Sequence, residues 1–171
     1  MEVILDSGPL IALAKLNLLS LFEKLYGEVT IPQAVYQESV MDGKNKGYED
    51  AWTIELFLNQ HNWSPRKIDA EMISDELSRL NLDTGEIACI ALGQNSSESL
   101  VLLDDEYARE ICRDRGIRVK GTLGVLVEAY RNDIITLNEL EFHFEQIAMR
   151  EDIWVAQELC AEILHRLKKE M

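Results

Sequence analysis

The sequence predicts a single α/β domain in which helices cover both faces of a parallel sheet. Short apolar runs alternate with amphipathic segments along the 171 residues, the order expected when helices connect parallel strands. The run Leu-Val-Leu-Leu at residues 100–103 contains no polar position, as in a strand that is buried on both faces. A chain of this length suffices for one domain with a substantial core.

Local patterns predict the individual elements. Apolar runs that end at turn residues predict strands at residues 3–5, 29–31, 100–103 and 117–119, and a connection or edge strand at 63–68. Apolar residues at helical spacing predict helices at residues 10–25, 33–40, 51–60, 71–80, 83–92, 106–115, 123–130 and 139–169. Breaks are expected near Asn17 and at residues 150–152. The polar, glycine-containing residues 41–50 are predicted to form a loop.

The chain is strongly acidic. It has 17 Lys and Arg against 31 Asp and Glu, which gives a formal net charge of −14. This balance excludes broad electrostatic binding to a phosphate backbone, so contact with nucleic acid needs a local basic patch, a bound metal or a partner chain. No apolar run approaches the roughly 20 residues of a bilayer-spanning helix, and the N-terminus lacks the basic start of a signal peptide. We therefore expect a cytoplasmic protein without membrane contact.

Neither the cysteines nor the histidines have the spacing of a zinc site. Cys89, Cys112 and Cys160 lie among apolar residues, which predicts buried thiols. The three histidines are scattered and have no Cys or His partner at ligand spacing.

Carboxylates follow two of the predicted strands directly. Asp6 follows the first strand, and Asp104 and Asp105 follow the strand at residues 100–103. If these strands are parallel neighbours, the acids meet at one edge of the sheet, where they repel one another unless a cation is present. Mg²⁺ prefers such oxygen ligands. The alternative is that each Asp caps the helix that follows it.

Two glutamates are further candidates. Glu38 lies beside the apolar stripe of its predicted helix, an unusual position for an unpaired acid, although it also suits the edge of a solvated surface. Glu86 forms a D-x-x-E pattern with Asp83 at the start of a helix. This pattern is typical of a capping box, and the functional alternative is that Glu86 points into the same crevice as the other acids.

Two arginines provide a candidate basic patch. Arg109 and Arg113 lie four residues apart, on one face of the helix that follows Asp105. They could bind phosphates beside a metal site, and they could equally pair with acids of their own helix such as Glu106.

Five sequence blocks within residues 1–135 provide a more specific signal. They read VILDSGPLIALAKL at 3–16, VTIPQAVYQE at 29–38, LDTGEIACIAL at 82–92, VLLDDEYAR at 101–109 and VKGTLGVL at 119–126. In this order they resemble the PIN-domain family, which includes VapC-type toxins. The resemblance implies a three-layer α/β/α sandwich with a central parallel sheet. Residues 1–135 are then the catalytic domain, and residues 136–171 are a helical extension packed on it.

The resemblance also implies an activity and its residues. It implies a divalent-metal-dependent endoribonuclease that hydrolyses RNA phosphodiesters with Mg²⁺ or Mn²⁺. By position, the catalytic acids are Asp6, Glu38, Glu86 and Asp105, and the metal ligands are Asp6, Glu86, Asp104 and Asp105. Asp105 is favoured over Asp104 because it stands three residues before a small residue, Ala108. Ser7, together with Arg109 and Arg113, is the candidate substrate contact. A toxin of this kind would have an antitoxin protein as partner.

Other function classes stay open at this stage. A PIN-like module that binds nucleic acid or protein without cleavage would carry the same acids. A haloacid-dehalogenase-like phosphotransferase would need a second Asp where Gly8 stands, and a response-regulator receiver would have its acid pair early in the chain rather than late. The apolar residues of the stretch 139–169 could pack on the domain's own core, or they could bind a second copy of the chain or an inhibitor protein.

Overall fold

Three parallel strands form the sheet in the computed structural model, which describes residues 1–155 and 157–170. The strands are β1 (Glu2–Leu5), β2 (Ser99–Leu102) and β3 (Arg118–Lys120), and β2 lies in the centre. Leu5 pairs with Leu102, and Leu102 pairs with Lys120. The carboxyl ends of all three strands therefore lie at one edge of the sheet, and the chain continues from that edge into helices.

Two short extended stretches continue the sheet beyond β1. The Thr30 backbone N–H donates to Val3 O at 2.7 Å, and Thr30 forms a parallel bridge with Ile4. A second bridge joins Pro32 to Arg66. The strand predicted at residues 29–31 is thus present only as an isolated bridge, and the weak edge strand predicted at 63–68 is reduced to the single pairing of Arg66.

Helices surround the sheet, and the chain forms the predicted three-layer α/β/α sandwich. In chain order they are α1 (Ser7–Lys15), α2 (Ser20–Tyr26), α3 (Gln33–Tyr36), α4 (Gly43–Asn45), α5 (Glu49–His61), α6 (Asp75–Ser78), α7 (Thr84–Asn95), α8 (Glu106–Asp114), α9 (Thr122–Arg131), α10 (Leu137–Met149) and α11 (Gln157–Glu170). A π-helical segment, Gln37–Asp42, connects α3 to α4, and a 3₁₀ turn spans Ala70–Met72. α7 packs against β1 and β2, and α8 packs against β3.

The predicted break near Asn17 is confirmed. Asn17 adopts a left-handed conformation with φ of 58°, which ends α1 and redirects the chain into α2. Asparagine tolerates this conformation better than most residues because its short polar side chain can bond locally.

The loop predicted at residues 41–50 is wrong. The helical path continues through the π-helical segment and α4 to Asn45, and α5 already begins at Glu49. Gly43 lies where a side chain would collide, since its Cβ would stand 2.8 Å from the Ala51 Cβ. Glycine at this position therefore permits α4 and α5 to pack closely rather than breaking the helix. The Lys44 ammonium bonds Glu55 at 2.8 Å across the same contact.

The helix predicted at residues 71–80 is also wrong in extent. The structure has only the 3₁₀ turn and the four-residue α6 in this region. Ser74 adopts an extended conformation between them, and its hydroxyl accepts from the Leu77 N–H at 3.1 Å. This hydroxyl starts a new helix at Asp75 instead of continuing an existing one.

The C-terminal helices share the hydrophobic core with the rest of the domain. Leu140, Phe144 and Ile147 of α10 and Leu167 of α11 belong to the same buried cluster as β1 and β2. Trp154, between the two helices, is 91% exposed. The domain boundary near residue 135 stays a prediction.

The cysteines and the helix lengths can be compared with what the sequence predicted. All three cysteines are free and buried, as predicted. In the part of the chain that the structure describes, no helix is both long and apolar enough to cross a bilayer.

Candidate functional site

The strand ends bring Asp6 and Asp104 to the same edge of the sheet. Asp6 directly follows β1, and its backbone N–H donates to Leu102 O on β2 at 3.0 Å. Gly8, at the start of α1, lies against Asp104, since a Cβ on Gly8 would stand 3.4 Å from the Asp104 Oδ2. Both acids therefore lie at the edge of the sheet that the parallel strands predict.

Asp6 is the most deeply buried acid of the site, with 5% of its surface exposed. Its Oδ2 accepts from the Gly8 N–H at 3.4 Å and so caps α1. Helix capping was the alternative to metal binding that the sequence left open for Asp6. Burial, together with the charges of Asp83 and Glu86, raises the pKa of Asp6 to about 8, against the lowering effect of the Ser7 and Gly8 N–H groups. The ionised form of Asp6 is thus disfavoured unless a cation compensates for it.

Gly85 leaves room for two carboxylates at the start of α7. A Cβ at this position would stand 3.3 Å from the Asp6 Oδ1, from the Asp83 Oδ1 and from the Val35 Cγ2. At most twice that distance therefore separates the two carboxylate oxygens. Because any side chain here would crowd both acids, glycine permits Asp6 and Asp83 to approach the start of α7 closely.

Glu86 forms the predicted capping box with Asp83. The Glu86 N–H donates to Asp83 Oδ1 at 2.8 Å, and the Asp83 N–H donates to Glu86 Oε2 at 2.9 Å. The pKa of Glu86 is nevertheless raised, first by burial and then by the charges of Asp83, Asp105 and Glu38, against the lowering effect of the Asp83 N–H. Glu86 therefore caps its helix and also lies within electrostatic reach of the acids of three other segments.

Glu38 lies on the π-helical segment and lines a cleft at the strand ends. This acidic cleft has a volume of about 320 Å³, and Ser7, Gly8, Asp104 and Trp154 also line it. The pKa of Glu38 is raised by burial and by the charge of Asp83, while the Ser7 hydroxyl lowers it. Glu38 thus faces the other acids, although much of its side chain is open to solvent.

The two adjacent aspartates after β2 have different partners. Asp104 accepts from the Thr122 N–H at 2.7 Å and from the Thr122 hydroxyl at 2.6 Å, which joins β2 to the start of α9. Burial raises the pKa of Asp104, and these bonds, with the charge of Arg109, oppose the rise. Asp105 is exposed and caps α8 by accepting from the Ala108 N–H at 2.8 Å. Asp105 is the one of the two whose charge acts on Glu86.

The two candidate arginines lie in different surroundings. Arg113 donates to Glu106 Oε1 at 2.9 Å, which is the pairing within the helix that the sequence offered as the alternative to phosphate binding. Arg113 also lines a separate cavity beside Arg118. The Arg109 Nη1 is 3.6 Å from the Glu106 Oε2. Arg109 also lies near the Asp104 carboxylate and the start of α9. The buried Arg109 Nε has no hydrogen-bond partner among the residues described.

Two contributors to this region were not predicted from the sequence. Asp83 was interpreted only as a helix cap, yet its charge acts on Asp6, Glu38 and Glu86. The D-T-G-E pattern could have indicated this role, because its glycine lets Asp83 lie close to Asp6. The segment before α11 also lines the acidic cleft through Asp152 and Trp154. No local pattern indicated this, because it depends on how α10 and α11 pack.

The carboxylates suit a hard divalent cation, although they are not gathered around a single point. Within residues 1–155 and 157–170, no group of three or more His, Cys, Asp or Glu side chains stands ready to hold a metal ion. Mg²⁺ keeps several water molecules and is commonly bound by one or two carboxylates, so fewer direct ligands suffice. The donor set is oxygen, and Gly85 lies between two of the carboxylates. These donors are of the type that hard divalent cations prefer.

Comparison with known proteins identifies the family. A family model described as a PIN domain matches residues 2–169. Searches of curated proteins and of solved structures give no match. The matched region includes every strand of the sheet, all the acids at the strand ends and nearly all of both C-terminal helices. The chain therefore belongs to the PIN-domain family.

Proposed function

We propose that the protein is a divalent-metal-dependent endoribonuclease that hydrolyses RNA phosphodiesters. PIN domains are generally nucleases that use divalent ions. The observation that carries the proposal is Asp6, which is buried at the strand ends with its pKa raised to about 8 beside two further acids, Asp83 and Glu86. Such an arrangement is unfavourable for the ionised acids alone, and a bound divalent cation stabilises it.

The acids have distinct roles in this proposal. Asp6, Glu86, Asp104 and Asp105 would hold Mg²⁺ or Mn²⁺, and Glu38, which lines the acidic cleft with Asp104, completes the catalytic set. When bound, the cation supplies an activated water at neutral pH and neutralises charge that develops on the phosphate. Binding requires Glu86 to turn partly away from the Asp83 N–H, which its flexible side chain permits.

Three polar residues orient the substrate. The Ser7 hydroxyl lines the acidic cleft and is bonded to Glu38, and it can donate to a phosphate oxygen if that bond opens. Arg109 supplies positive charge next to Asp104. Arg113 contacts a more distant phosphate if its bond to Glu106 opens.

We also propose that the protein is cytoplasmic and that it is the toxin of a toxin–antitoxin pair, with an antitoxin protein as its partner. The exposed Trp154 and Leu159 provide an apolar surface for that partner or for a second copy in a homodimer. A reading frame for a small antitoxin next to the gene would support the toxin role.

RNA cleavage in Mn²⁺ tests the activity. We expect wild-type protein to cleave a single-stranded RNA in Mn²⁺ and to lose activity in EDTA. Asp6→Asn should reduce the rate at least about a hundredfold, because an essential ligand loses its charge. Asp69→Asn changes an exposed acid outside the site and should retain full activity. Equal cleavage by wild type and Asp6→Asn would indicate a contaminating nuclease and would contradict the proposal.

A binding module without cleavage is the second candidate. It is favoured by the capping bonds of Glu86 and Asp105, which occupy both side chains in helix caps rather than around a metal. This function predicts that RNA binds equally well in EDTA and in Mn²⁺ and is recovered intact after incubation in Mn²⁺.

A further inference from the structure

Thr122 makes two hydrogen bonds to one carboxylate of the site. Its backbone N–H donates to the Asp104 Oδ1 at 2.7 Å, and its hydroxyl donates to the Asp104 Oδ2 at 2.6 Å. Thr122 has no exposed surface, so bulk solvent does not compete for these bonds. Each oxygen of the carboxylate therefore has a donor of its own, and both donors belong to the same residue.

The two bonds fix the plane of the Asp104 carboxylate. The torsion about the Cβ–Cγ bond of an aspartate is broad, and a single hydrogen bond leaves the carboxylate free to turn about the accepting oxygen. Donors on both oxygens remove this freedom. A carboxylate offers about four acceptor positions, of which Thr122 takes two, so the others stay available to a cation and its water molecules.

Helix capping accounts for only one of the two bonds. α9 begins after Gly121, which has no side chain to cap the helix, and Asp104 supplies an oxygen by accepting the Thr122 N–H. Any residue except proline at position 122 would present this N–H. The hydroxyl bond is an addition that capping does not require. It goes to the Asp104 Oδ2, which would stand 3.4 Å from a Cβ on Gly8 in the acidic cleft.

The turn between β3 and α9 is held in place on both sides. A Cβ on Gly121 would stand 2.9 Å from the Asp104 Oδ1, so glycine permits the turn to approach the carboxylate. The Lys120 side chain lies across Gly124, where a Cβ would stand 2.6 Å from the Lys120 Cγ. Its ammonium then donates to Glu128 on the same face of α9 at 2.6 Å. These contacts fix the direction in which the first residue of α9 faces the carboxylate.

We propose that Thr122 is a positioning residue, which holds Asp104 in the orientation that binds a divalent cation. This inference rests on the proposed function, because the cation is the one that the nuclease would use. Asp104 lines the acidic cleft together with Ser7 and Glu38, so its orientation decides whether its free acceptor positions face the cleft. Hydrogen-bond partners of metal ligands commonly contribute roughly ten- to a hundredfold to metal affinity or activity.

Calorimetric titration with Mn²⁺ tests the role of the hydroxyl. Thr122→Val keeps the N–H and the approximate size of the side chain but removes the hydroxyl, so it should bind Mn²⁺ about tenfold more weakly. Thr122→Ser keeps the hydroxyl and should bind Mn²⁺ as the wild type does. Thr53→Val is the matched control, because Thr53 is exposed on α5 and its hydroxyl bonds the Glu49 carbonyl. Equal Mn²⁺ affinity in wild type and Thr122→Val would overturn the proposal.

A double-mutant cycle tests whether Thr122 acts through Asp104. Asp104→Asn already lacks the charged ligand, so adding Thr122→Val should weaken Mn²⁺ binding little further. The same loss of affinity from Thr122→Val in both backgrounds would contradict the proposal, since the threonine would then act by another route. Thermal unfolding shows which variants fold. Thr122→Ala, which adds no bulk, takes the place of Thr122→Val if valine prevents folding.

RNA cleavage separates this proposal from the ribonuclease proposal. If both hold, Thr122→Val cleaves slowly at low Mn²⁺ and approaches the wild-type rate as Mn²⁺ is raised, at a temperature where both proteins are folded. Mn²⁺ binding that depends on Thr122 without any cleavage would defeat the ribonuclease proposal alone. Cleavage and Mn²⁺ affinity that do not depend on Thr122 would defeat the positioning role alone. A wild-type protein that does not bind Mn²⁺ would defeat both.

Discussion

Asp6 combines three properties in one carboxylate. It is almost fully buried, it caps α1, and it has Asp83 and Glu86 as charged neighbours. The cap favours the ionised form, whereas burial and the neighbouring charges favour the protonated form and prevail. An acid used only as a helix cap does not need such surroundings. The protonation of Asp6 should therefore affect the stability of the metal-free protein, which can be measured.

The stability of the metal-free protein should fall as the pH rises. The native state holds a proton on Asp6 up to about pH 8, whereas the unfolded chain releases it near the ordinary pKa of 3.8. The unfolding free energy should therefore decrease between about pH 4 and about pH 8, by on the order of a few kcal/mol. Denaturant unfolding in EDTA across this range measures the effect.

Asp6→Asn supplies the control for this pH dependence. The variant has no proton to lose at this position, so its stability should change less over the same range. Mn²⁺ should stabilise the wild-type protein increasingly as the pH rises, because the ion binds the ionised acids. A wild-type stability in EDTA that rises steadily from pH 4 to pH 8 would show that Asp6 is not held protonated.

At the scale of the element, the start of α7 has both a structural and an electrostatic role. Its capping box bonds two backbone N–H groups, and its glycine lets Asp6 and Asp83 approach each other without a side chain between them. The sequence predicted the capping box from the D-x-x-E spacing alone. It could not show that the same turn packs against β1, since that depends on contacts between segments about 80 residues apart along the chain.

Glu86→Gln separates the two roles of this turn. Glutamine can also occupy the last position of a capping box, so we expect the unfolding free energy to change by less than about 1 kcal/mol. Mn²⁺ affinity should fall at least about tenfold, because one charged ligand is lost. Denaturant unfolding and calorimetry on the same preparation measure both quantities.

The matched variant for this comparison is Thr84→Ala. Thr84 is exposed in the same turn, so its replacement should leave both stability and metal affinity unchanged. If Glu86→Gln destabilises the protein strongly while binding Mn²⁺ normally, Glu86 has only the capping role.

For the whole molecule, topology explains what the sequence could predict. Asp6 and Asp104 are distant in the chain, and they lie at the same edge of the sheet because β1 and β2 are parallel and end in register. That juxtaposition follows from the strand pattern and was predicted. The wall formed by Asp152 and Trp154 was not, because it depends on how α10 and α11 pack on the domain. The loop predicted at residues 41–50 failed for a similar reason, since Gly43 is explained by its contact with Ala51 and not by local propensity.

The most direct test is a calorimetric titration with Mn²⁺ at pH 8, where Asp6 can ionise. We expect wild-type protein and Asp69→Asn to bind with the same affinity and to release protons on binding. Asp6→Asn should bind at least about tenfold more weakly. Equal Mn²⁺ affinity in wild type and Asp6→Asn would contradict the claim that the acids at the strand ends share a divalent cation.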